Sequence, residues 1–152
     1  MAVEEKFKEL DIVLPEASAP VGAYVPYVQS GNLLFISGQL PVLDGKLQHK
    51  GKVGSDMSIE SGKEAAKLCF LNAVAQAKAA LGNLDRIKRI VQLSGFVASA
   101  KDFTDQPLVM NGASECAVQA FGEAGKHSRL ALGVAELPMG AVVEVGVIFE
   151  IY

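Results

Sequence analysis

The sequence predicts one domain that contains both α-helices and β-strands, in the order strand, helix, strand, helix, strand, strand, after an N-terminal hairpin. Two long segments carry apolar residues at helical spacing, and shorter apolar segments bounded by turn residues lie around them. The chain has 152 residues, of which 50% are hydrophobic, and this suits a single domain with a sizeable core. No internal repeat, low-complexity tract or long linker divides residues 1–152.

The N-terminal part is predicted to contain a short helix, an extended segment and a strand. Val3 to Leu10 has the spacing of a short amphipathic helix. The extended segment that follows contains Pro15, Pro20, Gly22 and Pro26. Leu33 to Ile36 is a short apolar run between turn residues, which predicts a strand, and Asp44-Gly45 predicts the next turn.

Two long helices are predicted in the middle of the chain. The longer one begins after Ser58, a suitable N-cap residue, and ends at Gly82. Its apolar stripe consists of Phe70, Ala73, Val74, Ala77 and Leu81. The second begins near Pro107, which is favourable in a first turn, and is ended by Gly122 and Gly125. Its buried positions are expected to be Val109, Ala113, Cys116, Ala117, Ala120 and Phe121.

Two of the predicted strands carry apolar residues on both faces. Ile90 to Val97 places Val91, Leu93 and Val97 on one face and Ile90, Gln92, Ser94 and Phe96 on the other. Val142 to Tyr152 places Val143, Val145, Val147, Phe149 and Ile151 on one face and Glu144, Gly146, Ile148 and Glu150 on the other. If both helices cover one face of the sheet, the other face remains partly apolar, and oligomerisation is the simplest way to cover it.

Arg129 begins a further strand, whose other residues are apolar or small. Alternation points Leu130, Leu132 and Val134 to one face and Arg129, Ala131 and Gly133 to the other. A guanidinium above small residues is well shaped to hold a carboxylate through two parallel hydrogen bonds. The alternative is a structural ion pair with Glu144 or Glu150, because a desolvated guanidinium without a partner is costly. This strand alone leaves both interpretations open.

Charge and composition disfavour several classes of function. The net charge of −3 and the pI near 5.4 argue against a nucleic-acid partner or an anionic membrane, and Arg86 to Arg89 is best explained as a solvated face. The N-terminus lacks a signal-peptide pattern, and no apolar run approaches the roughly 20 residues of a membrane span. We therefore expect a cytoplasmic protein with no membrane partner.

Three possible reactive motifs are better explained structurally. Cys69 and Cys116 lie among apolar residues inside predicted helices, so we expect small buried hydrophobes rather than a disulfide or a nucleophile. His49 and His127 are predicted to be polar loop residues, and neither has metal-ligand spacing to the cysteines. Residues 122–126 lack the spacing of a phosphate-binding loop, so a helix terminus is predicted there.

Several short motifs together resemble one known family. They are Val21-Gly22-Ala23-Tyr24, Gly31 to Ile36 followed by Ser37-Gly38-Gln39-Leu40-Pro41, Ser128-Arg129, Glu136-Leu137-Pro138 and Val143-Glu144-Val145. In combination they resemble the Rid family, the reactive intermediate deaminases, also known as YjgF or L-PSP endoribonuclease proteins. The resemblance spans roughly Ala19 to Ile151 of the single domain and leaves residues 1–20 as an N-terminal extension.

The resemblance implies an α+β, chorismate-mutase-like fold, with a βαβαββ core and two helices packed on one face of a mixed sheet. In that fold the last strand inserts between earlier strands, and the chain assembles as a homotrimer with clefts between subunits. The better-known family members hydrolyse reactive enamines and imines to 2-keto acids and ammonia. They need no metal or cofactor, so the expected partners are the chain itself and a small carboxylate-bearing metabolite.

The resemblance also implies roles for particular residues. Arg129 matches the arginine that grips the substrate carboxylate, and Glu144 matches the glutamate that positions or activates the attacking water. The polar residues that match the lining of the same cleft are Tyr24, Ser37 and Asn111. Each has an ordinary structural alternative: a strand aromatic for Tyr24, a turn residue for Ser37, a helix-surface residue for Asn111, and an ion-pair partner of Arg129 for Glu144.

The chain departs from the common family pattern at several positions. Ala131 stands where a cysteine often occurs, Gly146 replaces a common second acid, His127 precedes Ser128, and the N-terminus is extended. These departures resemble a longer subgroup. Three functions remain: deamination of a small 2-imino acid, non-catalytic binding of a small carboxylate or metabolite in the same cleft, and endoribonuclease activity, which the acidic balance disfavours.

Overall fold

The computed structural model describes residues 2–20 and 22–152, so Val21, the first residue of the motif Val21–Tyr24, lies outside the described residues. The helices are α1 (Val3–Glu9), α2 (Ile59–Leu81) and α3 (Gln106–Phe121). The strands are β1 (Tyr27–Ser30), β2 (Leu33–Gln39), β3 (Val42–Leu43), β4 (Lys46–Leu47), β5 (Ile87–Ala98), β6 (Ser128–Val134) and β7 (Val143–Ile151). The predicted sequence of elements is confirmed, and the Asp44-Gly45 turn joins β3 to β4.

The main sheet has five strands in the order β1-β2-β7-β5-β6. Only β5 and β6 run parallel, whereas β7 is antiparallel to both of its neighbours, β2 and β5. The last strand therefore inserts between earlier strands, as expected. This insertion matters for the site because it places one whole strand, β5, between Arg129 on β6 and Glu144 on β7.

The hydrophobic core lies between one face of the sheet and the pair α2 and α3. The predicted stripe of α2 is buried, and so are the five alternating apolar residues of β7 from Val143 to Ile151. Phe70 and Phe149 are the largest fully buried side chains, and burying each one contributes about 1.5–3 kcal/mol. Ser58 caps α2 as predicted, because its Oγ accepts a hydrogen bond from the Ser61 backbone N–H at 3.1 Å.

The N-terminal extension is part of this packing. Phe7 of α1 is only 3% exposed, and its ring forms a T-shaped pair with the ring of Phe121, with centroids 6.3 Å apart. Farther along, Gln76 of α2 donates a hydrogen bond to the Ser18 carbonyl at 2.7 Å. Residues of the extension thus contact both α2 and α3, and α1 covers the end of α3 where Phe121 lies.

The predicted faces of β5 are wrong at one residue. Ile90 was expected opposite Leu93, but both side chains are fully buried on the helix side of the sheet. The cause is a β-bulge: Ile90 pairs with Phe149 and Gln92 pairs with Ile148, so Val91 is an extra residue. Beyond the bulge, the predicted alternation of Leu93 and Val97 against Ser94 and Phe96 is confirmed.

The face of the sheet away from α2 and α3, which we call the open face, carries exposed apolar side chains. Val28 and Leu132 are about half exposed, at 52% and 50%, and Phe35 is 39% exposed. Phe35 pairs with Ile148 on β7 and Leu132 pairs with Phe96 on β5, so apolar groups extend across the width of the sheet. Assembly through this face stays a prediction.

Candidate functional site

Arg129 lies on β6, at the edge of the sheet, and points toward α3. It pairs in register with the buried Leu93, which fixes its side of the sheet, so the predicted alternation along β6 is confirmed. Its Nη1 donates hydrogen bonds to Asn111 Oδ1 at 2.9 Å and to Ser114 Oγ at 3.1 Å. The structure therefore brings together two of the predicted site residues, Arg129 and Asn111.

The positive charge of Arg129 is not neutralised within the described part of the chain. Glu150 instead pairs with Lys88 at 3.3 Å, and Glu144 projects from the open face, where its register partner is Phe96. An intrachain ion pair between Arg129 and either glutamate, the alternative considered from the sequence, is therefore wrong. A partly buried guanidinium that lacks a carboxylate partner is well suited to bind one from a ligand.

Sequence reasoning missed two polar residues beside Arg129. Ser114 Oγ lies 2.9 Å from Nε2 of His127, whose Nδ1 lies 2.6 Å from the Gly125 carbonyl oxygen. His127 lies in a loop, as expected, but its ring contacts Ser114 of α3. Their spacing in the sequence could have identified them. Ser114 follows Asn111 by three residues, so both lie on one face of α3, and His127 precedes Arg129 by two residues, so both side chains point to the same side of an extended chain.

Glu144 lies on the open face of β7, above a glycine of β2. The register of β2 and β7 shifts at this point, so Ser37 and Gly38 both stand opposite Gly146. A Cβ atom at Gly38 would lie 3.0 Å from Glu144 Cδ and would overlap Oε2. Position 38 must therefore be glycine for the Glu144 carboxylate to stay where it is.

The Glu144 carboxyl is partly buried without a compensating charge. Burial raises the pKa of Glu144 above its ordinary value of 4.5. No described residue forms an ion pair or a side-chain hydrogen bond with Glu144. A carboxyl of this kind is a better proton acceptor near neutral pH than an ordinary surface glutamate, which fits general acid–base chemistry.

Ser37 lies on β2 beside Gly38, and Tyr24 lies in the segment before β1. Ser37 Oγ donates to the Val25 carbonyl at 2.7 Å, so its hydroxyl hydrogen already holds the chain before β1. Its oxygen keeps its capacity to accept a hydrogen bond. Tyr24 is 53% exposed, so its ring is available to another molecule or another copy of the chain.

The predicted site residues thus form two separate groups in one chain. The guanidinium side consists of Arg129, Asn111, Ser114 and His127. The carboxylate side consists of Glu144, Gly38 and Ser37, and Tyr24 directly precedes Val25, whose carbonyl accepts the Ser37 hydrogen bond. Strands β2 and β6 are separated by β7 and β5, a distance of about 14 Å across the sheet, and Arg129 and Glu144 project from opposite faces.

Neither cysteine is placed for chemistry. Burial raises the pKa of Cys116 to about 11, and it raises that of Cys69 strongly, with a smaller contribution from the Glu144 charge. Cys69 Sγ donates to the Val143 carbonyl at 3.6 Å. Within residues 2–20 and 22–152, no three His, Cys, Asp or Glu side chains are grouped as metal ligands. None of the helices in this part of the chain is long and apolar enough to span a membrane.

Comparisons with known proteins agree with the motifs. The family profile described as "YjgF/chorismate mutase-like, putative endoribonuclease" matches residues 4–151, which include most of the N-terminal extension. Protein TCP17 of Trypanosoma cruzi is 47% identical over 150 residues, which cover 98% of this chain and 94% of that protein.

Two solved structures resemble this chain to different degrees. Protein Atu1372 of Agrobacterium tumefaciens, of unknown function, is 48% identical, with 99% of this chain and 92% of that chain covered and a TM-score of 0.93. RidA from an Antarctic Psychrobacter bacterium is 30% identical, with 90% and 94% covered and a TM-score of 0.64. The chain is therefore structurally nearer to Atu1372 than to RidA.

Proposed function

Because this chain belongs to the YjgF, or Rid, family, we propose that it hydrolyses small 2-imino acids, the tautomers of reactive enamines, to 2-keto acids and ammonia. The observation that carries the proposal is the Arg129 guanidinium, which is held by two neutral oxygens of α3 and has no carboxylate partner in the described part of the chain. A 2-imino acid supplies that carboxylate one bond from the reacting carbon.

The proposal requires the two sides of the site to come from different copies of the chain. Within one copy, Arg129 and Glu144 are separated by β5 and project from opposite faces. The open face offers Val28, Phe35 and Leu132 as apolar contact area. A homotrimer in which the guanidinium side of one subunit faces the carboxylate side of its neighbour would complete the cleft.

The proposed reaction needs little beyond positioning. The Arg129 guanidinium binds the substrate carboxylate and holds the electrophilic C=N carbon beside one water molecule. As the water oxygen bonds to that carbon, Glu144 accepts one proton from the water and the imine nitrogen takes one proton from solvent, which yields a carbinolamine. Glu144 then gives its proton to the amine nitrogen, the C–N bond breaks, and the carbinolamine hydroxyl releases its proton to solvent as the C=O bond forms, so ammonia and a 2-keto acid leave.

A coupled assay tests the proposal. A dehydratase generates the enamine in situ, and release of 2-keto acid is followed with and without this protein. We expect the wild type to accelerate release and Arg129→Ala to lose the acceleration. Arg86→Ala is the matched control, because Arg86 is an exposed arginine at the turn before β5 that has no side-chain partner among the described residues. Equal acceleration by Arg129→Ala and the wild type would refute the proposed role of Arg129.

Non-catalytic binding is the second candidate, and one observation favours it. If the chain works as a single copy, Arg129 can bind a small carboxylate but Glu144 cannot reach it from the opposite face. Titration with a 2-keto acid, combined with the coupled assay, distinguishes the two functions. A protein that binds the 2-keto acid but does not accelerate its release from the enamine would be a non-catalytic binding protein. Endoribonuclease activity is disfavoured by the net charge of −3.

A further inference from the structure

We propose that His127 and Ser114 form a positioning relay that holds Arg129 so that the ligand carboxylate binds to its Nε–Nη2 edge. The relay runs from the Gly125 carbonyl through the His127 ring and the Ser114 hydroxyl to Arg129 Nη1. The inference rests on the proposed function of Arg129 as the carboxylate-binding residue, and it adds the direction from which that carboxylate is bound.

The first step of the relay determines where the hydrogen of neutral His127 lies. A carbonyl oxygen can only accept a hydrogen bond, so the 2.6 Å contact with the Gly125 oxygen requires a hydrogen on Nδ1. Nε2 of the neutral ring then carries a lone pair. Because the carbonyl belongs to the backbone, this tautomer is set by the fold and not by a mobile side chain.

The second step determines the orientation of the Ser114 hydroxyl. Its single hydrogen is donated to Nε2 of His127, 2.9 Å away, because that nitrogen can only accept. The Ser114 oxygen therefore presents its lone pairs elsewhere, and one of them accepts from Arg129 Nη1 at 3.1 Å. Without His127, the hydroxyl hydrogen could rotate toward the guanidinium, where two donors would face each other.

The third step determines which edge of the guanidinium remains for a ligand. Nη1 has two hydrogens, and the oxygens of Asn111 and Ser114 accept one each. A carboxylate cannot then bind across Nη1 and Nη2, since that mode needs an Nη1 hydrogen. Among the described residues, none accepts a hydrogen bond from Nε or Nη2, so the Nε–Nη2 edge stays available for two parallel bonds.

A serine beside a histidine also resembles an activated nucleophile. The geometry favours positioning instead, because the Ser114 oxygen that would attack is already an acceptor for a cationic donor. A fluorophosphonate probe distinguishes the two roles by mass spectrometry. We expect no adduct at Ser114, and a stoichiometric adduct there would overturn the positioning role.

Four variants test the relay: the wild type and each variant are titrated calorimetrically with pyruvate as the probe, and their affinities are compared. Ser114→Ala and His127→Ala should each weaken binding about tenfold, the size expected for a hydrogen bond to a charged group. Ser114→Thr keeps the hydroxyl, and His127→Gln can place its Oε1 near the Nε2 position as an acceptor. Both should therefore retain most of the affinity, which a purely space-filling role would not predict.

The double variant Ser114→Ala with His127→Ala sharpens the test. If His127 acts through Ser114, the double variant should bind pyruvate no more weakly than Ser114→Ala alone. Full additivity of the two losses would overturn the relay. His49→Gln is the matched control, since His49 is the other histidine of the chain and should leave pyruvate affinity unchanged.

The bound edge can be tested in the wild-type sequence, and a variant is needed only to assign the signal. In isotope-labelled protein, the Arg129 Nε–H signal, identified by its absence in Arg129→Lys, should move strongly when pyruvate binds. Binding without movement of that signal would overturn the Nε–Nη2 assignment. If Arg129→Ala bound pyruvate normally, the proposed function would fail as well, whereas loss in Arg129→Ala with normal binding by Ser114→Ala and His127→Ala would overturn the relay alone.

Discussion

The guanidinium side and the carboxylate side hold their charged groups in opposite ways. Arg129 is supported by neutral oxygens of Asn111 and Ser114, so its orientation is set by hydrogen bonds from a neighbouring helix. Glu144 has no such support among the described residues, and its position depends on the absence of a side chain at Gly38. The proposed binding group, Arg129, is held in place by hydrogen bonds, whereas the proposed proton-transfer group, Glu144, is held by the space above Gly38 and by burial.

This difference has an energetic consequence. Hydrogen bonds to a charged group are stabilising, so Arg129 is held without much strain. Burial of an unpaired carboxyl is destabilising, and the raised pKa of Glu144 expresses that cost. Functional groups that cost stability are expected where the chemistry needs a perturbed proton affinity.

The largest expected effect comes from separating the two sides. Phe35→Glu places a charge in the apolar open face, and we expect the proposed homotrimer, three times the 16.0 kDa chain mass, to dissociate and lose all keto acid release. Val13→Glu is the matched control, because Val13 is 88% exposed and lies outside the sheet. Light scattering reports the mass. A wild-type protein that is a stable monomer at micromolar concentration would remove the proposed intersubunit cleft.

The next effect concerns the space that holds Glu144. Gly38→Ala should displace the carboxylate and lower turnover by about 100-fold, the scale of lost general acid–base help, while pyruvate binding at Arg129 is retained. Gly146→Ala is the control, since its Cβ would have no described neighbour nearer than 3.9 Å. Turnover of Gly38→Ala equal to that of Gly146→Ala would show that the position of Glu144 does not matter.

Glu144→Gln tests the carboxyl without changing its shape. Turnover should again fall by about 100-fold, because the amide cannot accept the proton from water, and pyruvate affinity should change little. The coupled assay and the pyruvate titration provide both numbers. If pyruvate affinity fell together with turnover, Glu144 would be assigned to ligand binding and not to proton transfer.

The smallest effect is on stability. The folded-state pKa of Glu144 is raised, so the ionised carboxyl destabilises the folded protein once the pH exceeds that raised value, and the cost is absent below the ordinary value of 4.5. Glu144→Gln should therefore melt at a slightly higher temperature than the wild type at pH 8 and at the same temperature near pH 4. An equal difference at both pH values would assign the effect to packing.

Much of the fold could be predicted from local patterns. The alternation from Val143 to Ile151 and the capped helix after Ser58 are short-range features, and both are present in the structure. The bulge at Val91 was missed, because one inserted residue reverses the faces of a strand without changing its composition. A bulge is revealed by the pairing partner, which lies far away in the sequence.

The candidate site was only half predictable. Motif resemblance identified Arg129, Asn111 and Glu144, but not that the first two meet in one chain while the third faces the other way. Ser114 and His127 were missed because their contacts join residues 13 and 15 positions apart across a helix–strand boundary. Such contacts depend on how α3 packs on the sheet.

By itself, the sequence determined the type and order of the elements, the parity that separates Arg129 from Leu130, and the apolar stripes that form the core. These follow from the periods of helix and strand, which act over a few residues. Only the tertiary structure decided that β7 lies between β2 and β5 and which face of β6 contacts α3. As a result, Arg129 and Glu144 are separated by β5 and project from opposite faces of the sheet. Those outcomes arise because strand pairing and helix packing join distant segments, whose relative placement no local pattern specifies.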